Sequence, residues 1–279
     1  MVFGDEIFGI IGDIKFENED RTSILILYQC LKISRIVPLI INKKEMKVDI
    51  WSDIRCPFCY VGKKNFEKAL HQFPQSEKIE VTWHSFQLDP QLKTQPDKNS
   101  LDYFSEIKGV SEKQAKEMYA HVYKAGKEAG IEFNFDHQKV ANSYRAHLLL
   151  QLAASKNVAN EAEEALFKAQ LIEGKNIDDE ATLIEIGKSV SLNEEDIKNA
   201  LISEEFAAQV SRDMLLAQQM QISGVPFFVI NDKYGVSGAQ PTPVFSEVLE
   251  KSWEEFSGGD HGLKIIHSGE SCTVDGNCD

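Results

Sequence analysis

Two cysteines separated by two residues, Cys56-Pro57-Phe58-Cys59, are the residues in this sequence best suited to chemistry. A short apolar run precedes them, and a segment with helical spacing follows over residues 61–70. This order places Cys56 at a helix N-terminus, where free backbone N–H groups and the helix dipole favour an anion. Because the thiolate is the nucleophilic form of cysteine, Cys56 is predicted to attack disulfides. Cys59 lies one turn on, where it can attack the mixed disulfide and release the product.

The local charge also favours a thiolate at this position. A helix terminus contributes about 0.3–1 kcal/mol, which lowers a thiol pKa by roughly one unit. Arg55, Lys63 and Lys64 add positive charge near the motif, whereas Asp53 opposes it. A stabilised thiolate favours the reduced dithiol, so the disulfide becomes more oxidising.

Other uses of a Cys-x-x-Cys motif fit this sequence less well. A c-type haem site needs histidine after the second cysteine, and residue 60 is Tyr60. A zinc site needs two further ligands, and Cys272 and Cys278 are widely spaced in a Gly-rich tail. A pair of buried core cysteines remains an alternative, but Pro57 is typical of a first helical turn. We therefore favour redox chemistry and expect no bound metal or cofactor.

The overall composition limits the partners and the compartment. The chain has 279 residues, 42% of them hydrophobic, which is enough for one or two domains. Its net charge of -14 argues against nucleic acid and anionic membranes as partners. Residues 24–41 are apolar-rich but carry charges and Pro38, so no membrane span is expected. Without a recognisable signal peptide the expected compartment is the cytoplasm, where disulfides are more often catalytic than structural.

Hydrophobic periodicity divides the chain into three parts. Strands are predicted near residues 47–51, 79–86, 225–230 and 234–237, and residues 91–99 read as a polar loop. Between the two strand pairs, helical spacing recurs from residue 100 to 221, including one helix that begins at 111 with a stripe of Met118, Val122 and Ala125. A final helix is predicted over 243–256, and a loose tail follows.

The predicted order is therefore βαβ, a helical block, and ββα, an α/β fold with a large all-helical insertion. Residues 46–99 and 222–257 would form one domain, and residues 100–221 the inserted helical domain. Residues 1–45 would be an N-terminal extension outside the functional domain, and residues 258–279 a flexible tail that contains cysteines.

Several sequence blocks resemble those of proteins with the thioredoxin fold. The resemblance is to the DsbA-like branch of that fold and, within it, to the FrnE-like group. That group is related to 2-hydroxychromene-2-carboxylate isomerases and kappa-class glutathione transferases. The matching blocks lie in the order of the family over residues 46–256, and they are residues 53–62, 83–90, 142–147, 223–230 and 236–240.

The resemblance implies roles for individual residues. Cys56 would form the mixed disulfide and Cys59 would resolve it, with Pro57 and Phe58 contributing to substrate binding. Pro226 would be a cis-proline facing the cysteines, a conformation that only about 5–6% of X–Pro bonds adopt. The backbone of Val225 would then pair with an extended substrate strand.

Asn142 and His147 have two readings. In the isomerase relatives this stretch lines the substrate pocket, whereas the simpler interpretation is a helix cap at Asn142 and a partly buried His147. His84, on a predicted strand, is expected to be structural. Trp51 and Phe58 are expected to pack around the site.

The tail carries a second pair of cysteines, Cys272 and Cys278, on either side of an Asp-Gly turn signal. FrnE-like chains often end in such a pair, which implies a second redox pair that could exchange with Cys56 and Cys59. Two surface thiols without function are the alternative.

The predicted function is thiol–disulfide exchange with protein substrates that carry disulfides or thiols. A glutathione-dependent isomerase or transferase, with glutathione as co-substrate, is the first alternative. In those relatives a helix N-terminus activates the glutathione thiol, and serine usually stands where this chain has cysteine. A peptide-binding chaperone is the second alternative.

Overall fold

The computed structural model describes residues 45–256, 264–268 and 272–273. The helices are α1 (Pro57–Gln72), α2 (Ser100–Lys108), α3 (Glu112–Met118), α4 (Ala120–Ala129), α5 (Tyr144–Ser155), α6 (Ala159–Leu171), α7 (Glu180–Ser189), α8 (Glu194–Ala200), α9 (Glu204–Gln219) and α10 (Thr242–Glu255). The strands are β1 (Met46–Ser52), β2 (Ile79–Ser85), β3 (Gln95–Asn99), β4 (Lys139–Val140), β5 (Gly224–Val225), β6 (Phe227–Ile230), β7 (Tyr234–Ser237), β8 (Lys264–Ser268) and β9 (Cys272–Thr273). Over the described residues no helix combines the length and the apolar character that crossing a membrane requires.

A five-stranded mixed sheet joins the elements that precede the helical block to those that follow it. Its strand order is β2-β1-β6-β7-β8. β1 pairs with β2 in parallel and with β6 antiparallel, so strands from both ends of the chain meet at β1. Helix α1 connects the parallel pair, as a βα crossover requires. The predicted thioredoxin-like arrangement is confirmed.

One face of this sheet is covered by α1 and α10, which pack against each other. Phe66 of α1, Phe228 of β6 and Phe245 of α10 form a cluster of rings with centroids 4.7 to 5.6 Å apart. Met46 and Ile50 of β1 lie fully buried in the same cluster. The alternation of inward residues along β1 therefore attaches the first helix and the last helix to one sheet.

The other face packs against the helical block, and there the core is continuous. Cys56 and Cys59 belong to the same buried cluster as Leu149 of α5 and Phe167 of α6. Five helices of the block begin at a side-chain cap that accepts a hydrogen bond from a backbone N–H in the first turn: Asn99, Ser111, Asp179, Asn193 and Ser203. The helical block thus shares one buried core with the two cysteines at the start of α1.

Three local predictions were wrong. Residues 95–99 are not loop but strand β3, which pairs with β4. The single helix predicted from residue 111 is divided at Tyr119 into α3 and α4, so Met118 is 46% exposed while Val122 is buried. The hydrophobic run 225–230 is interrupted at Pro226, which has no N–H to donate to a ladder.

The tail prediction was also incomplete. β8 adds to the sheet beside β7, and β9 pairs antiparallel with β5. The predicted pairing of Cys272 with Cys278 lies outside the described residues, because Cys278 is not among them. Residues 1–44, 257–263, 269–271 and 274–279 also lie outside them.

Candidate active site

Cys56 is the N-cap residue of α1, and Pro57 is the first residue of the helix. A turn in which the Cys56 N–H donates to the Asp53 carbonyl at 2.9 Å holds the residue there. No side chain caps the helix, and its first turn carries no acidic residue. The sulfur of Cys56 therefore lies at the positive end of the helix, where a thiolate is stabilised.

Cys59 lies one turn into the same helix, and both cysteines are free thiols. Burial raises the pKa of the Cys59 thiol well above its usual range, and the hydrogen bond and charge of Cys56 raise it further. Cys59 is only 1% exposed. The raised pKa keeps the proton on Cys59 in the reduced protein, which suits a resolving thiol.

The Val225–Pro226 peptide bond is cis, as the resemblance implied. The Cys56 thiol donates to the Val225 carbonyl at 3.6 Å, so the strand end before the proline faces the nucleophile. The Gly238 N–H donates to the Pro226 carbonyl at 2.8 Å and ties this loop to the end of β7. Residues more than 160 positions apart in the sequence thereby form one site.

Gly62 controls how closely α1 approaches this loop. A Cβ atom at Gly62 would lie 2.9 Å from Cγ of Pro226 and 3.4 Å from Cζ of Phe228. Because a proline ring is attached to the backbone at both ends, it cannot rotate away as a long side chain can. The absence of a side chain at Gly62 is what lets Pro226 pack beside the cysteine helix.

Gly62→Ala is therefore expected to push the proline loop away from Cys56, destabilising the fold by about 1–3 kcal/mol and lowering the rate of thiol exchange several-fold. Gly187→Ala is the matched control, a crowded glycine in the helical block away from the proline loop, whose Cβ would meet Cδ1 and Cγ1 of Ile197 and Cδ1 of Leu149. Urea unfolding and thiol-exchange rates, measured on both variants, separate the loss of stability from the loss of activity. Equal losses of activity in the two variants would contradict the assignment.

Two residues that sequence reasoning missed lie beside the motif, where α3 gives way to α4. The ring of His121 stacks on Phe58 with centroids 5.8 Å apart. Burial raises the pKa of Tyr119 to about 12. The charge of Arg55 opposes the rise, and the charge of Cys56 adds to it. No motif marks either position, and only the division of the predicted helix at Tyr119 brings them to the site.

The predicted binding residues fall into different environments. Phe58 and Pro57 are buried in the first turn of α1, packed within the site. The Asn142 side chain donates to the Leu92 carbonyl at 2.9 Å and accepts from the Tyr144 N–H at 2.8 Å. Asn142 thus ties the loop after β2 to the start of α5, but the N-cap of α5 is Ser143, so the predicted cap at Asn142 was one residue early.

His147 lies behind the motif and is 1% exposed. Its Nε2 atom is 3.7 Å from Oδ1 of Asp53, within ion-pair range but longer than a hydrogen bond. Burial opposes ionisation of Asp53, yet His147, Arg55 and the Leu88 N–H together hold the pKa of its carboxyl below the usual value. His147 therefore contacts the base of the site and no open pocket, in contrast to the partial burial expected for it.

His84 connects the sheet to the helical block, as a structural residue would. Its Nε2 lies 2.7 Å from Asp49 of β1, and its Nδ1 lies 2.9 Å from Asp213 of α9. The ring of Trp51 stacks on it at 4.4 Å, so Trp51 packs on this histidine. Burial disfavours the charged imidazole, but the two carboxylates raise the pKa of His84 to about 9.

Over the described part of the chain, no group of three or more His, Cys, Asp or Glu side chains is placed to hold a metal ion. The site there consists of a dithiol, a proline loop and a set of buried ionisable groups. Such an arrangement can exchange disulfides by attack of a thiolate on sulfur.

Comparison with known proteins places this geometry in a family. The family model of the DsbA-like thioredoxin domain matches residues 47–250. The structure is similar to that of a probable DsbA oxidoreductase from Streptomyces coelicolor, with a TM-score of 0.71, 33% identity, and coverage of 84% of this chain and 99% of that chain.

Two further similarities extend the comparison. The chain is 27% identical over 208 residues to the uncharacterized protein YwbO of Bacillus subtilis strain 168, covering 72% of this chain and 94% of the relative. A structure of 2-hydroxychromene-2-carboxylate isomerase shares the fold at 14% identity and a TM-score of 0.55, covering 75% of this chain and 97% of that chain.

Proposed function

Since the chain belongs to the family of DsbA-like thioredoxin domains, we propose that it is a thiol–disulfide oxidoreductase that acts on proteins through Cys56 and Cys59. The observation that carries the proposal is the position of Cys56, which is the uncapped N-cap of α1 and lies 3.6 Å from the Val225 carbonyl. A thiolate at that point has both an activating helix and an adjacent strand end for substrate backbone.

The proposed reaction balances as two successive exchanges. In the reducing direction the Cys56 thiolate attacks a substrate disulfide, a Cys56–substrate bond forms, and the first substrate sulfur leaves as a thiolate. Cys59, once deprotonated, attacks the Cys56 sulfur and expels the second substrate thiolate. Two electrons pass to the substrate, its two sulfurs take up protons, and the enzyme is left with a Cys56–Cys59 disulfide. Oxidation of a substrate dithiol is the same sequence in reverse.

The proposed partners are proteins with disulfides or exposed thiols, presented as extended segments to Val225 beside Pro57 and Phe58. We propose that nucleic acids and membranes are not partners, since a net charge of -14 opposes both. The proposed compartment is the cytoplasm, and no bound cofactor is part of the mechanism.

A redox titration with mass mapping of each disulfide, combined with an insulin reduction assay, tests the proposal. We expect a Cys56–Cys59 disulfide that forms with a single midpoint and insulin reduction that depends on both residues. If Cys56 and Cys59 never form a disulfide at any potential, thiol exchange is not the function.

The glutathione-dependent alternative is distinguished in the same experiment. In that case the helix N-terminus would activate the thiol of bound glutathione, and a Cys56→Ser variant would retain activity. Glutathione-dependent turnover of a ring-opened aromatic substrate by Cys56→Ser, without insulin reduction by the unaltered protein, would favour the isomerase. Aggregation suppression retained by a variant lacking both cysteines would favour a chaperone.

We further propose that Cys272 and Cys278 are a second redox pair. The proposal is supported by strand β9, whose backbone pairs with β5 so that Cys272 is the register partner of Val225. The residue opposite Cys272 is thus the one whose carbonyl lies beside the Cys56 sulfur. A substrate strand and β9 would compete for the same backbone groups of β5.

Deleting the chain from residue 258 onward is therefore expected to expose Cys56, which is 0% exposed in the intact chain. If β9 is detached from β5 in less than about a tenth of the intact molecules, Cys56 in the shortened chain should be alkylated about tenfold faster or more than in the intact chain. Cys272→Ser with Cys278→Ser is the control, because it keeps the β9 backbone and removes only the thiols. An unchanged alkylation rate in the shortened chain would show that β9 does not cover the nucleophile.

A further inference from the structure

Strand β5 brings a backbone edge beside the nucleophile. Its second residue, Val225, accepts a hydrogen bond from the Cys56 thiol at 3.6 Å. Its first residue is Gly224, and both residues are buried. In the intact chain this edge is occupied by β9, which pairs with it antiparallel. The pairing gives a direction and a register in which an extended segment lies against the site.

The register of this pairing places a cysteine opposite Val225 and a threonine opposite Gly224, namely Cys272 and Thr273. Directly opposed residues in an antiparallel pair have Cα atoms about 4.5–5.5 Å apart. A cysteine opposite Val225 therefore lies next to the residue that contacts Cys56. A slip by one residue would turn every side chain of the segment to the opposite face. The register of β9 is thus one that suits a substrate cysteine.

Pairing along this edge ends at Pro226, the residue that follows Val225. Proline has no N–H to donate to a paired strand, and the Pro226 carbonyl already accepts from the Gly238 N–H at 2.8 Å. A substrate residue before the cysteine would lie opposite Pro226, whereas a residue after the cysteine would lie opposite Gly224, which is part of the paired strand. Backbone recognition therefore extends from the cysteine toward the C-terminus of the substrate segment.

Gly224 offers no side chain to the residue that would follow the substrate cysteine. Directly opposed side chains share one face of an antiparallel pair, so the missing side chain leaves room for a bulky neighbour. The φ angle of Gly224 is not positive, unlike those of Gly109, Gly130, Gly174 and Gly238, so φ does not require glycine at this position. β-Branched residues suit such a place, because they favour extended backbone.

We infer that Gly224 is a specificity-determining residue and that the enzyme prefers protein segments in which a β-branched residue follows the reactive cysteine. The inference rests on the proposed oxidoreductase function. The substrate segment lies extended and antiparallel to β5, with its cysteine opposite Val225. Recognition by this edge depends on the cysteine and the residue after it, and not on the residue before it.

Short peptides that carry a coloured leaving group on their cysteine test the inference. The parent peptide, acetyl-Ala-Ser-Cys-Thr-Ala-amide, is joined through its cysteine sulfur to 5-thio-2-nitrobenzoate. Attack by the Cys56 thiolate on the peptide sulfur forms a Cys56–peptide disulfide and releases the coloured thiolate. The full chain is used with Cys30, Cys272 and Cys278 replaced by serine, so that only the active-site cysteines react. Because β9 competes with every peptide alike, it does not alter the ratio of rates between two peptides.

N-methylation of the peptide removes one backbone N–H at a time and needs no change to the enzyme. Opposed residues alternate between hydrogen-bonded and non-hydrogen-bonded pairs. Methylation of one of the two residues, the cysteine or the threonine, is therefore expected to slow colour release about fivefold or more. Methylation of the serine before the cysteine should change the rate less than about twofold. Equal effects on the two sides of the cysteine, or no effect at any position, overturn the inference.

Gly224→Val fills the space opposite the residue after the cysteine. The unaltered protein is expected to react about threefold faster or more with the threonine peptide than with a peptide that has glycine there. In Gly224→Val this ratio should invert, because the added side chain crowds threonine more than glycine. Ser223→Ala, at the exposed position just before β5, is the control and should keep the ratio. An unchanged ratio in Gly224→Val contradicts the role assigned to Gly224.

The ratio between peptides separates this inference from a general loss of activity, which would slow both peptides alike. If Gly224→Val does not fold, the methylated peptides still test the register on the unaltered active site. Absence of colour release with every peptide would contradict the oxidoreductase function itself. Release at the same rate from all peptides would leave that function in place and overturn only the inference about Gly224 and the residue after the cysteine.

Discussion

A Cys59→Ser variant is expected to accumulate covalent adducts with its substrates on Cys56. Serine cannot expel the bound substrate thiol, so the mixed disulfide formed in the first exchange persists. The Cys56 sulfur keeps its place at the N-terminus of α1 in this variant, and its attack on disulfides should continue. Non-reducing electrophoresis and mass mapping of peptides that contain Cys56 give the result directly.

The paired variant Cys56→Ser should lose exchange activity by on the order of a thousandfold or more, since a hydroxyl at neutral pH is a far weaker nucleophile than a thiolate. It should form no adduct at Cys59, because the raised pKa of that thiol keeps its proton on the sulfur. Adducts found on Cys59, or on neither residue, would show that the roles assigned to the two sulfurs are wrong.

Asp213→Asn is expected to have the largest effect on stability. The carboxylate of Asp213 contacts His84 at 2.9 Å, the Ser85 N–H at 2.8 Å and the Gln151 side chain at 2.9 Å. The His84 and Asp213 side chains are each 15% exposed. Asp213→Asn removes one of the two carboxylates that pair with His84 and leaves Asp49 as the other, and each hydrogen bond to a charged group that is lost costs about 1.5–3 kcal/mol.

The same network predicts a dependence on pH with a definite sign. His84 has a pKa of about 9 in the folded protein, above its ordinary value of 6.5. A raised pKa means that the folded state binds the proton more tightly than the unfolded state does. The stabilisation, about 3 kcal/mol at most, is therefore fully present below pH 6.5 and is lost as the pH rises through 9.

Urea unfolding at pH 6 and at pH 9.5 measures both effects. The unaltered protein should be less stable at the higher pH, and Asp213→Asn should show a smaller difference between the two conditions. Asp196→Asn is the matched control, since Asp196 pairs with Lys156 at the surface and should change stability by less than about 1 kcal/mol. If Asp213→Asn and Asp196→Asn behave alike, His84 does not hold the helical block to the sheet.

Local sequence was sufficient for the parts of the fold whose signals are short-range. Pro57 at the start of a helix, the alternation along 79–85 and the apolar runs around Pro226 each identify an element without tertiary information. Prediction from the sequence failed where tertiary packing determines the point at which a helix ends. The stripe of Met118, Val122 and Ala125 reads as one helix, but the chain turns at Tyr119 so that this residue and His121 can reach the motif.

Strands at edges were the other failure. β3, β8 and β9 are short strands. In β3, Pro96 and the surrounding polar residues are typical of a loop, so the sequence does not indicate a strand there. Such strands exist only because a partner supplies the hydrogen bonds, and the partner of β9 is β5, about fifty residues earlier in the chain. A pattern confined to one segment does not contain that information.

The sequence by itself determined the reactive dithiol, its place at the start of a helix, and the family order of strands and helices around it. Those features follow from spacing and from backbone preferences that neighbouring residues impose. Only the tertiary structure decided that Cys59 retains its proton, where Val225 meets Cys56, and that His147 lies beneath the site beside Asp53. These depend on burial and on electric fields within a few ångströms, which arise only when distant parts of the chain are brought together.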